Sequence, residues 1–572
     1  MQKKEEEVHF FLTNNSGSYV SLGNNSFSQY NGVFFFLKNE WEIYKTIESI
    51  VRSDSEELKG KLAYTNNTMT YVSNIKETLL LTFDFRRIHN YSDQGRIYSI
   101  KLLKNFAIVE YKKYSDNSLT KLVETKYLAI KIKEEDSKSI RINNEWIKRE
   151  YSYDKNRGIK YEFYVFNGFT VTTDLLTIGF GETEKEAIKN ANNSLIVNEK
   201  ETSILKITEN SLQNLVINFQ TKKDKNKTQN GILAGLPWFY QIWGRDECIS
   251  LGGLIASKKY NLVKSIIFRN LDNLDNGFVP NRTPSSTLAS IDATGWLYKR
   301  ISDFLIAIHQ NNKLNTHIEQ KDLELILKKI DESISAYTQR MKNNLIINKS
   351  LETWMDTSDA SGTDDRSGAR IEIQCLFLNM CVLATYISKI LGKDYKKYEL
   401  LETNVKLATK KELMKDGILL DGKTEQQDFT VRPNVFLAHQ VYPQLLSNKE
   451  WEKTFDKVIQ ECWLFWGGFS SISKNNTLFT KRHTGFNNSS YHRGDSWYFL
   501  NNIAAISLIK VNVNKYADQI EKITEASIKE LLYSGIPGQC AELSSADEQT
   551  SEGCLAQAWS SSTLIELIHR LS

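Results

Sequence analysis

The chain has 572 residues, more than one ordinary hydrophobic core takes in, so two domains or one very large helical domain are expected. Its net charge of +4 comes from interspersed acids and bases and gives no basic stripe of the kind that binds nucleic acid. The opening Met1-Gln-Lys-Lys-Glu-Glu-Glu7 lacks the apolar core of a signal peptide, and no apolar run is expected to approach the roughly 20 residues of a membrane span. The expectation is a soluble, cytoplasmic protein with no membrane partner. Cys248, Cys375, Cys381, Cys462, Cys540 and Cys554 form no C-x-x-C pair and are expected to be buried thiols, with no metal site and no disulfide framework.

Up to about residue 190, short runs such as Val33-Phe-Phe-Phe-Leu37, Phe106-Ala-Ile-Val-Glu-Tyr111 and Tyr161-Glu-Phe-Tyr-Val-Phe166 alternate with Asn, Asp, Gly and Ser. This pattern predicts an antiparallel β-sandwich over residues 1–190, structural or substrate-docking in role, because no acid–base constellation occurs in it. Beyond it, apolar residues recur at helical spacing, and residues 191–572 divide into twelve helix-like segments, the first over 190–219 and the last over 555–571. Twelve is the number that closes an (α/α)6 toroid of six inner and six outer helices. Connections from odd to even segments are long and rich in Gly, Pro, Trp and acids, whereas the others are short. In an alternating toroid the long ones all emerge at one mouth, which is how a scaffold presents an active site.

The first long connection is Ala234-Gly-Leu-Pro-Trp-Phe-Tyr-Gln-Ile-Trp-Gly-Arg-Asp246. Aromatic faces suit the apolar side of a pyranose, and Arg245 and Asp246 can donate to and accept from its hydroxyls. The plain alternative is a Trp-rich loop packing on its own domain, its Arg–Asp pair locking the turn. The later long connections carry Asp292 and Trp296, then Trp354, Asp356 and Glu372, then Arg432-Pro-Asn434, then Tyr491-His492-Arg493 with Trp497, then Glu542 running to Trp559. No Cys/His metal set and no glycine-rich phosphate loop accompanies them, so no cofactor is expected. Carboxylates and tryptophans at one mouth suit glycoside hydrolysis, which needs an acid for the leaving oxygen and a second carboxylate for water or the anomeric carbon.

At this point the C-terminal two thirds resembles the catalytic domain of amylo-α-1,6-glucosidases, the glycogen debranching enzymes, which are similar in fold to glucoamylases. The resemblance is carried by Trp238, Trp243-Gly-Arg-Asp246, Asp292-Ala then Trp296, Thr353-Trp-Met-Asp356, Glu372, Arg432-Pro-Asn434, Tyr491-His492, Trp497, Ala541-Glu542 and Gly553-Cys-Leu-Ala-Gln-Ala-Trp559. It implies that Asp356 is the general acid and Glu542 the general base, and that Arg245 and Asp246 hold hydroxyls of the terminal glucose. Trp238, Trp243, Asp292, Trp296, Trp354, Glu372, Asn434, His492 and Trp497 would complete the substrate site. It also implies an α-glucan oligosaccharide or glycogen branch as partner, cut at α-1,6 branch stubs with inversion. Departures are Glu247-Cys248 where the family often has Thr and an aromatic, and Arg493 after His492 where it has Gln. They bear on substrate preference more than on reaction type.

No room is expected for the glucanotransferase barrel of eukaryotic debranching enzymes, so the substrate should be already trimmed. A glucoamylase-like α-1,4 exo-hydrolase, a trehalase and a non-catalytic glucan-binding protein stay open as alternatives, and nothing sets an oligomeric state. Inversion asks that Asp356 and Glu542 stand roughly 6.5–9.5 Å apart. Asp356 is expected to keep its proton with Trp354 desolvating it, and Glu542 to stay ionised in a more polar or wetter setting. Asp547, Glu548 and Glu552 are the rival bases.

Overall fold

The computed structural model describes residues 10–14, 17–23, 26–37, 42–65, 67–88, 90–193, 203–220, 228–237, 239–283, 290–310, 314–358 and 364–572. They fall into two compact units, residues 1–202 with 214–225, and residues 203–213 with 226–572. The chain thus crosses between units three times, where the sequence suggests one boundary near residue 190.

Among the described residues, the first unit is built on an antiparallel sheet of eleven strands: β1 Phe10–Thr13, β2 Tyr19–Leu22, β3 Gly32–Leu37, β4 Glu42–Arg52, β5 Lys61–Thr65, β6 Thr68–Arg87, β7 Arg96–Leu103, β8 Phe106–Ser115, β9 Ser118–Ile132, β10 Arg141–Glu150 and β11 Glu162–Gly181. They are ordered β1-β2-β3-β4-β6-β11-β9-β8-β7, with β5 added to β6 and β10 to β11. Among the described residues the ladder is continuous from β1 to β7, so the antiparallel domain is built from one connected sheet. Register shifts at Asn167/Phe169 and Thr173/Leu175 interrupt β11, and such bulges let a 20-residue strand bend. Phe35 and Tyr44 from one end of the order and Val109 and Leu128 from the other accordingly share one core.

The second unit is helical. Among the described residues its twelve long helices are α1 Ile204–Gln213, α2 Gly244–Ala256, α3 Tyr260–Asp272, α4 Asp292–Gln310, α5 Gln320–Thr338, α6 Ile371–Ile390, α7 Lys396–Leu413, α8 Asn434–Val441, α9 Asn448–Cys462, α10 Tyr498–Asn512, α11 Ala517–Tyr533 and α12 Ala558–Leu571, with one short turn at Leu314–His317. The even helices pack in sequence, α2 on α4, α4 on α6, and so on to α12, which returns to α2. The odd helices lie against them: α5 and α7 touch α6, and α11 touches α10. Even helices are apolar nearly all round while odd ones such as α9 bury a single stripe, the division that a buried and a half-exposed position require. The first predicted helix, 190–219, shrinks to α1, because the chain turns into a strand at Val216–Gln220.

Three odd helices stop the same way, in a two-plus-two hairpin: Met341–Lys342 with Leu345–Ile346, Met414–Lys415 with Ile418–Leu419, and Trp463–Leu464 with Gly468–Phe469. Asn343-Asn344 and Asp416-Gly417 turn the first two with positive φ at both central residues, the geometry that matches strand twist. One reading of the sequence needs correcting. Helix α6 is a 20-residue run long and apolar enough to cross a membrane, but most of it is buried inside this unit. All six cysteines are buried, and none is in a disulfide.

Candidate active site

The long connections lead into the first turns of the even helices, and those turns carry the expected residues: Arg245 and Asp246 on α2, Asp292 on α4, Glu372 on α6 and Asn434 on α8. Trp497 immediately precedes α10 and Gln557 precedes α12. Unpaired amides and the positive end of the dipole make such turns favourable seats for acids. Short ladders join the connections: Gly235–Leu236 with Ala556–Gln557, Ile242–Trp243 with Arg282–Thr283, and Ser496–Trp497 with Leu543–Ser544. Position 244 must be glycine for this closeness, since a Cβ there would stand 2.5 Å from the Pro280 carbonyl oxygen.

Arg245 is the hub. Its Nη1 donates to the Thr353 carbonyl at 2.9 Å and its Nη2 to Asp356 Oδ2 at 2.8 Å, while Asp246 and Asp292 each lie 3.8 Å from the guanidinium. One cation therefore faces three carboxyls. Burial pushes Asp246 up to about 7, with Glu542 and Asp356 adding to the rise and Arg245 opposing it. Burial also pushes Asp292 up to about 6 against the pull of Arg245. Asp246 Oδ1 accepts from Gln557 Nε2 at 3.1 Å, and Asp292 Oδ1 from Ser290 Oγ at 2.6 Å.

Asp356 departs from expectation. Burial alone would raise its pKa, but Arg245 and then His492, 3.6 Å away, hold the carboxyl below the usual range. Deeply surrounded, it still keeps 28 % of its side chain open, as a group on a cleft wall does. Trp354, expected to desolvate it, packs on its neighbour His492. The indole N–H donates to Asn434 Oδ1 at 2.8 Å, and the ring packs edge-on to His492, Trp497 and Phe499.

Glu542 meets the polar rather than the wetter alternative: it is 2 % exposed but set among hydrogen-bond donors. Its Oε1 accepts from the Tyr491 hydroxyl and its Oε2 from the Cys554 amide at 2.9 Å. Gly553, at φ +68°, gives the carboxylate its space, since a Cβ would stand 2.3 Å from Oε2. Both Glu542 and Asp356 act on the protonation of Asp246 and of Tyr491, which places the two carboxylates around one centre. Of the rivals, Asp547 pairs with Arg482 at 3.0 Å, Glu552 lies 3.7 Å from His483, and Glu548 is exposed.

The remaining residues sort by depth. Trp243 is half-buried, edged by Phe239 and capped by Arg282. Trp354 and Trp497 are buried in a block with His492, whose ring stacks on Trp497 at 5.0 Å. Burial lowers His492 to about 4 against the pull of Asp356, whose Oδ1 lies 3.6 Å from its Nε2. Glu372 and Asn434 stand behind the site. Arg366 clamps Glu372 at 2.8 and 3.1 Å and Asp421 at 3.0 and 3.1 Å, and Asn434 Nδ2 donates to Asp421 at 2.7 Å. Trp296 lies in the core beneath α4 with Arg300 over its ring, and no described contact joins it to the carboxylates. Trp238 lies outside the described residues.

Sequence reasoning missed Tyr491 as a partner of Glu542, Gln557 as a partner of Asp246, and the Arg366–Asp421 pair. Tyr491 and Gln557 stood inside quoted motifs and could have been chosen; no local signal marks Arg366 or Asp421. Among the described residues no group of three or more His, Cys, Asp or Glu side chains could hold a metal ion.

The chain is similar over 99 % of its length to a bacterial glucoamylase solved with acarbose, covering 94 % of that chain at 13 % identity and a TM-score of 0.57, which establishes a glucoamylase-like fold. A weaker likeness, TM-score 0.46 and 11 % identity, links 64 % of it to 99 % of a GH63 mannosylglycerate hydrolase from Thermus thermophilus. No curated protein matches it. The family model described as amylo-alpha-1,6-glucosidase matches residues 192–566. With most of its length matched by that model, the chain belongs to the amylo-alpha-1,6-glucosidase family and is a glycoside hydrolase.

Proposed function

We propose that the protein is an inverting exo-acting α-glucosidase that removes single α-1,6-linked glucose stubs from trimmed glycogen or related α-glucans, with its even and odd helices forming an (α/α)6 toroid. The observation that carries this is the gathering of Asp246, Asp292 and Asp356 around Arg245, with Glu542 close enough to Asp246 to raise its pKa. Arg245 and Asp246 take hydroxyls of the terminal glucose, and Trp243 meets its ring. Asp356 protonates the leaving oxygen, and Glu542 takes a proton from the attacking water. In the free enzyme Asp356 is an anion. A sugar that fills the cleft excludes water from it and draws the Arg245 donors toward hydroxyls, and both changes raise its pKa.

A second reading, an exo-hydrolase of α-1,4 bonds, is favoured by the glucoamylase likeness. The pure protein incubated with panose, isomaltose, maltotriose, trehalose and a phosphorylase-limit dextrin separates them by the glucose released. Faster release from the limit dextrin and panose than from maltotriose supports the α-1,6 reading, and the reverse order overturns it. By NMR the first glucose formed should be the β-anomer. Initial α-anomer overturns inversion and both carboxylate roles.

A further inference from the structure

We infer that Glu530, on α11 and outside the carboxylate cluster, is the positioning residue that fixes the loop carrying Glu542, an inference that rests on Glu542 being the base. Glu530 is 1 % exposed, and among the described residues no cation pairs with it; Ser551, Tyr498 and the Ala541 amide are the groups that hydrogen-bond it. Ser551 Oγ lies 2.8 Å from each of its oxygens, the Tyr498 hydroxyl donates to Oε2 at 3.1 Å, and the Ala541 amide reaches Oε1 at 3.4 Å.

These partners all flank Glu542. Ala541 precedes it in the chain. The Tyr498 amide donates to the Glu542 carbonyl oxygen at 3.4 Å. Ser551 stands just before the Glu552–Gly553–Cys554 segment, in which Glu552 bridges Leu543, Gly553 leaves space for the carboxylate and the Cys554 amide donates to it. One buried carboxylate on an odd helix therefore ties down both ends of the 541–553 loop and the start of α10. A buried acid without a cation is costly, and hydrogen bonds from several neutral donors are what make it tolerable.

The chemistry separates two substitutions. A glutamine at 530 keeps one oxygen for Ala541 and Ser551, and its amide can donate to the Tyr498 hydroxyl, which has the Thr550 carbonyl within 3.4 Å as an outlet for its own hydrogen. A leucine keeps none of these. Burial raises Glu530 to about 7, with Glu552 adding to the rise, so its ionisation falls near neutrality. The other titratable groups facing it are Tyr498, raised well above its ordinary value, and Cys540, raised to about 12, and both stay protonated there.

The test measures kcat and KM for glucose release from panose between pH 5 and 9 in wild type, Glu530→Leu, Glu530→Gln and Glu542→Gln. Glu530→Leu should lower kcat about 10- to 100-fold with KM within about threefold, the pattern of a lost transition-state arrangement. Glu530→Gln should restore kcat to within about threefold of wild type at acidic pH and remove any step near pH 7. A folded Glu530→Leu with wild-type kcat overturns the inference, as does Glu530→Gln with kcat more than about tenfold below wild type at acidic pH or with a wild-type step near pH 7 left in place. The second readout stands even where the leucine variant fails to fold. An active Glu542→Gln overturns the base assignment itself, whereas an inactive one beside an unimpaired Glu530→Leu overturns the inference alone.

Discussion

The third and sixth long connections each supply one carboxylate, and they hold it by opposite means. Asp356 is held by charge, against Arg245 at 2.8 Å, with part of its side chain open. Glu542 is held by neutral donors, Tyr491 and the Cys554 amide, with almost nothing open. A charged partner fixes an anion but also opposes the proton a general acid must carry. Neutral donors fix an orientation with less cost to basicity. The acid is thus poised to change protonation when a ligand rearranges Arg245, and the base is built not to move.

The comparison breaks first if either carboxylate proves dispensable. Asp356→Asn and Glu542→Gln should each lower glucose release on the order of 10³-fold or more, with glucan binding nearly intact. Loss within tenfold for either removes it from the mechanism. Azide should rescue Glu542→Gln by attacking where water no longer can, giving a β-glycosyl azide, and should not rescue Asp356→Asn. Rescue of both, or of the wrong one, exchanges the roles.

Asp246→Ala comes next. Both its proposed ligand and its neighbours depend on it, so kcat/KM should fall on the order of 10²-fold while the melting temperature stays within a few degrees. A variant that melts early and loses activity only in proportion returns Asp246 to a turn-locking role. Tyr491→Phe has a smaller expected effect. It deletes one donor and leaves the ring against Trp497 and His492. We expect kcat about tenfold lower and, because the base anion loses a stabilising donor, an acidic limb of kcat/KM moved to higher pH. An acidic limb that stays or moves down would disconnect Tyr491 from the base.

Much of this was legible in the chain. Helical periodicity located twelve long helices, and the contrast between long and short connections located the site residues in and just after the long ones. A repeat was also legible and went unread: Met341-Lys-Asn-Asn-Leu-Ile346 and Met414-Lys-Asp-Gly-Ile-Leu419 mark equivalent hairpins. Illegible was which way neighbouring side chains point. Trp354 and Asp356 are two residues apart, yet one turns into the aromatic block and the other to Arg245, because loop 351–358 has no period that fixes direction. Pairs such as Arg366–Asp421 and Glu542–Tyr491 join residues about 50 apart, and only the packed helices bring them together.

The smallest effect is on stability, and it tests whether Asp246 is part of a proton-sharing cluster or a simple ion-pair partner. Its folded pKa of about 7 lies above the ordinary carboxylate value, so the native state binds this proton more tightly than the unfolded chain does. Stability from that proton is fully present below about pH 4 and is lost as pH rises to about 7, leaving wild type less stable at pH 8 than a chain with a neutral group there. Asp246→Asn supplies the neutral group and keeps an oxygen for Gln557, while Arg245 retains Asp356 and Asp292. The gain at pH 8 should be of order ~1–2 kcal/mol after discounting the lost attraction to Arg245, a rise of a few degrees in melting temperature, and it should vanish near pH 4. Melts of the two proteins at matched scan rate and several pH values decide it. If Asp246→Asn instead melts lower than wild type throughout, Asp246 is ionised in the native state, and the cluster around Arg245 carries its proton elsewhere.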